Sequence, residues 1–89
     1  MKIDFTAKFE KQYLRLPKQI KVKAEKQESV FRNNPFHSSL HTEKLSPKSR
    51  EVWSFRIDNN YRVIFRFLEK DSVLFLNIGP HDWIYKIKF

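Results

Sequence analysis

Four side chains in the second half of the sequence have the types that phosphodiester chemistry needs. His81 and Tyr85 are four residues apart, and Arg56 and Arg62 precede them in apolar segments. A helical turn over residues 81 to 85 would put His81 and Tyr85 on one side. Attack by a 2′-hydroxyl needs a base, an acid for the leaving 5′-oxygen, and cations for the charge that develops at phosphorus. The set predicts an RNA-cleaving site, with a merely solvated histidine as the alternative.

The charge balance predicts an anionic partner. The chain has 18 Lys and Arg against 10 Asp and Glu, a net charge of +8 and a pI near 9.9. Such a field attracts nucleic acid or an acidic protein, although a small basic protein can also be merely soluble. The 89 residues suffice for a single domain, 1–89.

Several other chemistries are excluded or disfavoured. The absence of cysteine excludes disulfides, thiol catalysis and thiolate zinc sites, and fits a reducing cytoplasm. The spacing of His37, His41 and His81 matches no metal-ligand motif, so we expect neither metal nor cofactor. The chain lacks the paired carboxylates of a glycosidase, and Gly79 is its only glycine, so no glycine-rich phosphate loop is present. No secretory signal or membrane-spanning stretch is recognisable, and we expect a cytoplasmic protein.

Hydrophobic periodicity predicts the elements that position these residues. Alternation predicts a strand at 2–6, and spacings of three and four predict a helix at 7–15. A second amphipathic helix begins at Pro17 and ends by Asn33-Asn34-Pro35. A possible short strand at 41–45 is followed by three strands that form an antiparallel meander, at 51–57, 61–68 and 73–78. We expect Gly79-Pro80 to end the last strand sharply.

The strands of the meander have one apolar face. The alternation puts these residues on one side of the sheet: Trp53, Phe55, Ile57, Tyr61, Val63, Phe65 and Phe67. If the helix hairpin covers that side, the opposite side presents Arg56, Arg62 and Arg66. Salt-bridged surface arginines are the alternative to a phosphate site. Further residues placed to contact RNA are His41, Lys44, Ser54, Arg66, Trp83 and Lys86. Of these, Trp83 would either stack on a base or pack against the sheet.

Over essentially its whole length the chain resembles the RelE/ParE superfamily of toxins. The order and spacing of several short segments carry the resemblance: Phe5 to Leu16-Pro17, Asn34-Pro35, Ser39-Leu40-His41, Lys44-Leu45, Trp53-Ser54-Phe55-Arg56-Ile57, Asn60-Tyr61-Arg62-Val63-Ile64-Phe65, and Ile78-Gly79-Pro80-His81-Asp82 with Tyr85. The resemblance implies an α+β fold, RelE-like and similar to microbial ribonucleases, in which an N-terminal strand and a two-helix hairpin pack on a small curved antiparallel sheet.

The resemblance also implies an activity and partners. A member of the RelE branch is a metal-free endonuclease that cuts mRNA in the ribosomal A site, and an acidic antitoxin encoded in the adjacent reading frame neutralises it. Arg62 matches the family's strand arginine, Arg56 a basic position one strand earlier, and His81 and Tyr85 the C-terminal pair. Ser54 stands where the RelE archetype has a second lysine, which implies a lower charge density in the cleft and a shift of the general-base role toward His81, as in histidine-using relatives. The resemblance leaves open which group is the acid and which the base. The alternatives are a ParE-like gyrase inhibitor and an inactive antitoxin-binding module.

Overall fold

The structure, a computed structural model that describes residues 1–45 and 51–84, consists of one sheet with helices on one side. In chain order the elements are β1 (Lys2–Phe5), α1 (Ala7–Leu14), α2 (Lys18–Asn33), a 3-10 turn (Ser38–Leu40), β2 (Glu43–Lys44), β3 (Trp53–Arg56), β4 (Tyr61–Leu68), β5 (Ser72–Pro80) and α3 (His81–Ile84). The predicted α+β class is therefore confirmed. No helix among the described residues is long and apolar enough to cross a membrane.

Thr6 fixes the start of α1 over the sheet. Its hydroxyl accepts a hydrogen bond from the Phe9 amide at 3.0 Å and donates one to the Leu76 carbonyl at 2.9 Å. An N-cap of this kind satisfies a helix amide that has no partner within the helix. Gln12 adds a second tie, because its Oε1 accepts from the Ile78 amide at 2.9 Å. As a result α1 is held against β5.

The sheet is mixed, whereas the sequence predicted an antiparallel one. Its strand order is β1-β5-β4-β3-β2, with β1 parallel to β5 and all other pairs antiparallel. The chain leaves β1, crosses one face of the sheet through α1 and α2, and returns through the meander from the far edge. After three reversals β5 runs in the same direction as β1, and a helical crossover is the connection that a parallel pair needs.

Phe31 of α2 is the centre of the core. It is fully buried, and its ring lies 4.9 Å from that of Phe55, 5.0 Å from Phe65 and 5.5 Å from Phe75, centroid to centroid. Phe55 and Phe65 belong to the predicted apolar side of the sheet, which we call the helix face, and Phe75 of β5 packs in the same core cluster. The prediction that the helix hairpin covers this face is confirmed, because the core cluster joins both helices to β3, β4 and β5.

The other side of the sheet, which carries Arg56, Arg62 and Ile64, is the outer face. It is not simply open, since Ile64 is fully buried there and forms a small apolar cluster with Val52, Leu45 and Leu76. The register of β4 and β5 shifts between Ile64 and Phe65, which indicates a bulge in β5. Beyond the bulge, Asn77 pairs with Ile64 and Gly79 with Arg62.

Most predicted boundaries are close to those observed, with one correction at the end of β5. The strand predicted at 61–68 has the observed bounds, and those predicted at 41–45 and 51–57 shorten to Glu43–Lys44 and Trp53–Arg56. Gly79-Pro80 does not end the last strand, which continues through both residues. Pro80 pairs with Tyr61, and the amide of His81 donates to the Asn60 carbonyl at 2.6 Å. The pairing with β4 therefore outweighs the strand-breaking tendency of this dipeptide.

Replacing Phe31 should destabilise the fold more than any exposed apolar change. Phe31→Ala removes a fully buried ring and its three aromatic contacts, which we expect to cost about 3–5 kcal/mol of unfolding free energy. Val22→Ala, at a residue that is 60% exposed on the same helix, should change it by less than about 0.5 kcal/mol. Urea denaturation of both variants measures the difference, and equal midpoints would contradict the assigned core.

Candidate active site

Two arginines lie side by side on neighbouring strands of the outer face. Arg56 of β3 pairs in register with Arg62 of β4, and Gly79 of β5 pairs with Arg62 on its other side. Glycine has no side chain, so β5 places no side chain directly beside Arg62. Helix α2 supports the two arginines from the opposite side of the sheet, because Gln27 Nε2 donates to the Arg56 carbonyl at 3.2 Å.

Arg62 is a buried cation that has no carboxylate partner among the residues that the structure describes. Only 6% of the residue is exposed. Its Nη1 donates to the carbonyls of Asp58 and Tyr61, at 2.7 and 3.1 Å, and no carboxylate of the described residues lies within ion-pair distance of it. Burying a charge is costly unless it is paired, and a guanidinium has five N–H donors, so Nε and Nη2 remain for an anion. The arrangement provides a cation whose position is fixed before any ligand arrives.

The turn between β3 and β4 holds that guanidinium in place. Asp58 Oδ1 accepts hydrogen bonds from the amides of Asn60 and Tyr61, at 2.8 and 2.9 Å, which is an Asx turn. Its Oδ2 lies 3.5 Å from Lys23 Nζ, so α2 also holds the turn. Because the turn is fixed, the two carbonyls that bind Arg62 have fixed directions.

The same turn positions His81. The His81 amide donates to the carbonyl of Asn60, so the first residue of α3 is joined to the turn that holds Arg62. The imidazole is 46% exposed, and its Nδ1 lies 3.3 Å from Oδ1 of Asp82, a carboxylate that is itself 95% exposed. An accessible imidazole whose backbone is attached to the turn that binds a buried cation is suited to moving a proton while the cation stabilises negative charge.

The structure brings together three of the four predicted catalytic residues. Arg56, Arg62 and His81 lie at the same end of the sheet, whereas Tyr85 lies outside the described residues. Arg66, predicted on the same face, is exposed and pairs with Leu74. Four residues along a strand correspond to about 13 Å, so Arg66 is displaced from Arg62 by that distance along the sheet.

The remaining predicted RNA contacts have varied positions. His41 is exposed in a left-handed conformation with φ of 47°. Lys44 pairs in register with Trp53, which places it toward the helix face, and its Nζ lies 3.1 Å from Glu51 Oε1. Ser54 is only 1% exposed, so its hydroxyl is not presented at the surface. Trp83 belongs to α3, although its side chain is outside the described part, and Lys86 is outside it altogether.

Three polar residues of the site had no role in the sequence-based predictions. Asp58 and Asn60 were not predicted as site residues, yet Asp58 closes the turn and the Asn60 carbonyl accepts from the His81 amide. Asn77 is 3% exposed, and its Nδ2 has no hydrogen-bond partner in the described part of the chain. The sequence did contain a feature that could have identified Asn77 as a buried polar residue, since it is the single amide in the apolar run 73–78. No three His, Asp or Glu side chains of the described residues gather as a metal site.

Solved structures share this architecture across most of the chain. A YoeB/ParE toxin from Agrobacterium tumefaciens matches with a TM-score of 0.75 at 20% identity, covering 91% of this chain and 99% of that one. YafQ from Escherichia coli strain BL21(DE3) matches with a TM-score of 0.76 at 16% identity, covering 93% and 96%. RelE in a RelB–RelE antitoxin–toxin complex from Methanococcus jannaschii matches with a TM-score of 0.72 at 18% identity, covering 92% and 94%.

Sequence comparison alone finds no relative of this kind. Neither a family model nor a curated protein sequence matches the chain at a significant level. The structural agreement therefore rests on element order and packing, which persist after sequence identity has fallen to these values. The chain has the fold of the YoeB, YafQ and RelE toxins.

Proposed function

We propose that this chain is the toxin of a toxin–antitoxin pair and cleaves mRNA on the ribosome. One observation carries the proposal: a buried arginine that has no carboxylate partner among the described residues is hydrogen-bonded to the turn that also binds the backbone of an accessible histidine. A cation held in place for an anion, on the same turn as a histidine that can transfer a proton, fits phosphodiester cleavage. The shared fold and the charge of +8 support the same assignment.

The proposed reaction is attack of a ribose 2′-hydroxyl on the adjacent phosphorus. His81 takes the hydroxyl proton, the new oxygen–phosphorus bond forms, and the bond to the 5′-oxygen breaks. Arg62 and Arg56 stabilise the negative charge of the phosphorane, and Tyr85 protonates the leaving oxygen. The products are a 2′,3′-cyclic phosphate and a 5′-hydroxyl, so the proposed step needs no metal.

The proposal assigns part of the catalytic power to the ribosome. The described site contributes two arginines and one histidine, and orienting a flexible RNA chain is a separate requirement of the reaction. Alignment of the 2′-hydroxyl with the breaking bond is worth several orders of magnitude in rate. We propose that an mRNA held in the A site supplies this alignment, so that free RNA is cleaved poorly.

Substitution of the site residues should abolish ribosome-dependent cleavage. In primer extension on a defined mRNA in a purified translation system, we expect Arg62→Ala to lower the cleavage rate about 10²–10³-fold. His81→Ala should lower it about 10²–10⁴-fold. Arg15→Ala is the charge-matched control, because Arg15 is exposed at the end of α1, and it should cut at the wild-type rate.

Two other outcomes of this assay would lead to different functions. Intact mRNA and normal translation, together with inhibition of supercoiling by DNA gyrase, would indicate a ParE-like poison. Intact mRNA and unaffected gyrase, with antitoxin binding retained, would indicate an inactive binding module.

Binding to the ribosome should depend steeply on salt. Each phosphate neutralised on a single strand adds about 0.7 to the slope of log affinity against log salt. Arg56→Ala should therefore reduce the magnitude of that slope by about 0.7 when ribosome–mRNA binding is measured from 50 to 300 mM KCl. A slope that is unchanged in this variant would argue against a phosphate contact by Arg56.

An acidic antitoxin should copurify with this chain and suppress cleavage. The relative from Methanococcus jannaschii was solved as an antitoxin–toxin complex, and the net charge of +8 favours an acidic partner. Coexpression with the adjacent reading frame should give a stable complex that is inactive in primer extension. Expression of the active chain alone at the same yield, without harm to the host, would contradict the assignment.

A further inference from the structure

A deep apolar groove opens between α1, α2 and the helix face of the sheet. Its volume is about 470 Å³. The floor consists of buried core residues from three strands, Phe55, Val63, Phe75 and Ile78. Ala24 is the α2 residue above this floor, and its small side chain leaves space that a larger residue would fill. A groove of this kind accepts an apolar side chain from outside.

Apolar side chains continue from the groove to the protein surface. Leu14 at the end of α1 is 71% exposed, and Phe5 at the end of β1 is 40% exposed, and both line the groove. Exposed apolar groups that adjoin a groove are typical of a protein-binding surface. The apolar area thus extends from the groove to exposed residues of α1 and β1, where further apolar side chains of one partner can pack.

The mouth of the groove is acidic, although the protein as a whole is basic. Glu10 of α1 and Glu25 and Glu28 of α2 line it. Tyr13 Oη donates to Glu25 Oε1 at 3.0 Å, which joins the two helices across the mouth. Burial raises the pKa of Tyr13, and its hydrogen bond to Glu25 and the charges of Glu25 and Glu28 raise this pKa further. Both carboxylates therefore lie close to this phenol.

Nearby cations offset only part of this acidity. Arg32 Nη2 lies 3.2 Å from Glu28 Oε1, and Lys21 Nζ is 5.8 Å from the centre of the Tyr13 ring. Glu10 and Glu25 have no ion pair within the described residues. At physiological ionic strength, charges separated by more than about 8 Å are largely screened. The glutamates at the mouth, not the net charge of +8, therefore set the charge preference of a segment that binds here.

We propose that the groove binds an amphipathic helix with an apolar stripe flanked by lysine or arginine. Such a helix would insert its stripe between α1 and α2 and bring its cations to Glu10 and Glu25. The inference rests on the proposed function in one respect, that the antitoxin is the protein that carries this helix. An antitoxin that is acidic overall would then have a locally basic segment for this groove.

A matched pair of peptides tests the charge preference directly. Both are helices of about 16 residues with the same leucine stripe, and they differ only in having lysine or glutamate along its edges. Fluorescence anisotropy with the full chain at 150 mM KCl should show about tenfold tighter binding of the lysine peptide, as expected of two or three exposed charge pairs. Tighter binding of the glutamate peptide would mean that net charge dominates and would overturn the proposal, as would binding of neither.

Variants of the groove locate the binding. Ala24→Phe fills the groove and should weaken binding of the lysine peptide about tenfold or more. Leu14→Ser should weaken binding of the same peptide severalfold without disturbing the core. Glu10→Gln combined with Glu25→Gln should remove the preference for lysine, whereas Glu69→Gln, in the turn before β5, should not. Retention of tight binding by both apolar variants would place the peptide elsewhere and contradict the proposal.

Failure of this proposal and failure of the nuclease can be told apart. The groove lies on the helix face of the sheet, whereas Arg56 and Arg62 lie on the outer face. The Ala24→Phe and Leu14→Ser variants should therefore cut mRNA at the wild-type rate. Normal cleavage without peptide selectivity overturns only the groove assignment. Selective peptide binding without cleavage by the wild-type chain overturns only the nuclease.

Discussion

The hydrogen bonds from Arg62 to the carbonyls of Asp58 and Tyr61 are the interaction on which the candidate site depends. They fix a buried guanidinium that is not paired with a carboxylate of the described residues 1–45 and 51–84. The turn that provides these carbonyls is closed by the Asp58 side chain, tied to α2 through Lys23, and joined to His81 through Asn60. One short loop thus determines the positions of the Arg62 guanidinium and the His81 backbone. The ion pair between Asp58 and Lys23 connects this loop to α2, which packs in the core.

The two faces of the sheet have different roles, one mainly in stability and the other in binding. The helix face holds the aromatic cluster around Phe31, and this cluster is what keeps α2 in place above the β3–β4 turn. The outer face carries Arg56 and Arg62. Between the helices the helix face is incompletely filled, and the open groove there is lined by glutamates at its mouth. A basic protein therefore presents an apolar groove with an acidic mouth on one side of the sheet and the arginines Arg56 and Arg62 on the other.

Alternation of apolar residues was sufficient to predict much of the fold. The strand at Tyr61–Leu68 and the apolar helix face followed from a period of two, because burial on one side enforces it. The parallel pairing of β1 with β5 did not follow, since it depends on the path of the whole chain. Continuation of β5 through Gly79 and Pro80 was also missed, because the local tendency of that dipeptide is overridden by pairing with Arg62 and Tyr61.

The site was predictable as a set of residue types but not as an arrangement. Placing Arg56 and Arg62 on one face required only the strand pattern, and their side-by-side register required the turn length. The burial of Arg62 and the role of Asp58 depend on side-chain hydrogen bonds to backbone atoms, which leave no periodic signal. Arg66 was predicted by the alternating pattern but does not join the site. It lies on the same face as Arg62 but four residues further along β4.

Cleavage of a ribosome-bound mRNA with one 2′-deoxynucleotide at the cut position is the most direct test of the central claim. The account predicts that the all-ribose mRNA is cut to a 2′,3′-cyclic phosphate, and that cleavage at the substituted position is lost while neighbouring positions remain susceptible. Efficient cleavage at the deoxynucleotide would contradict attack by the 2′-hydroxyl and, with it, the roles assigned to His81 and Arg62.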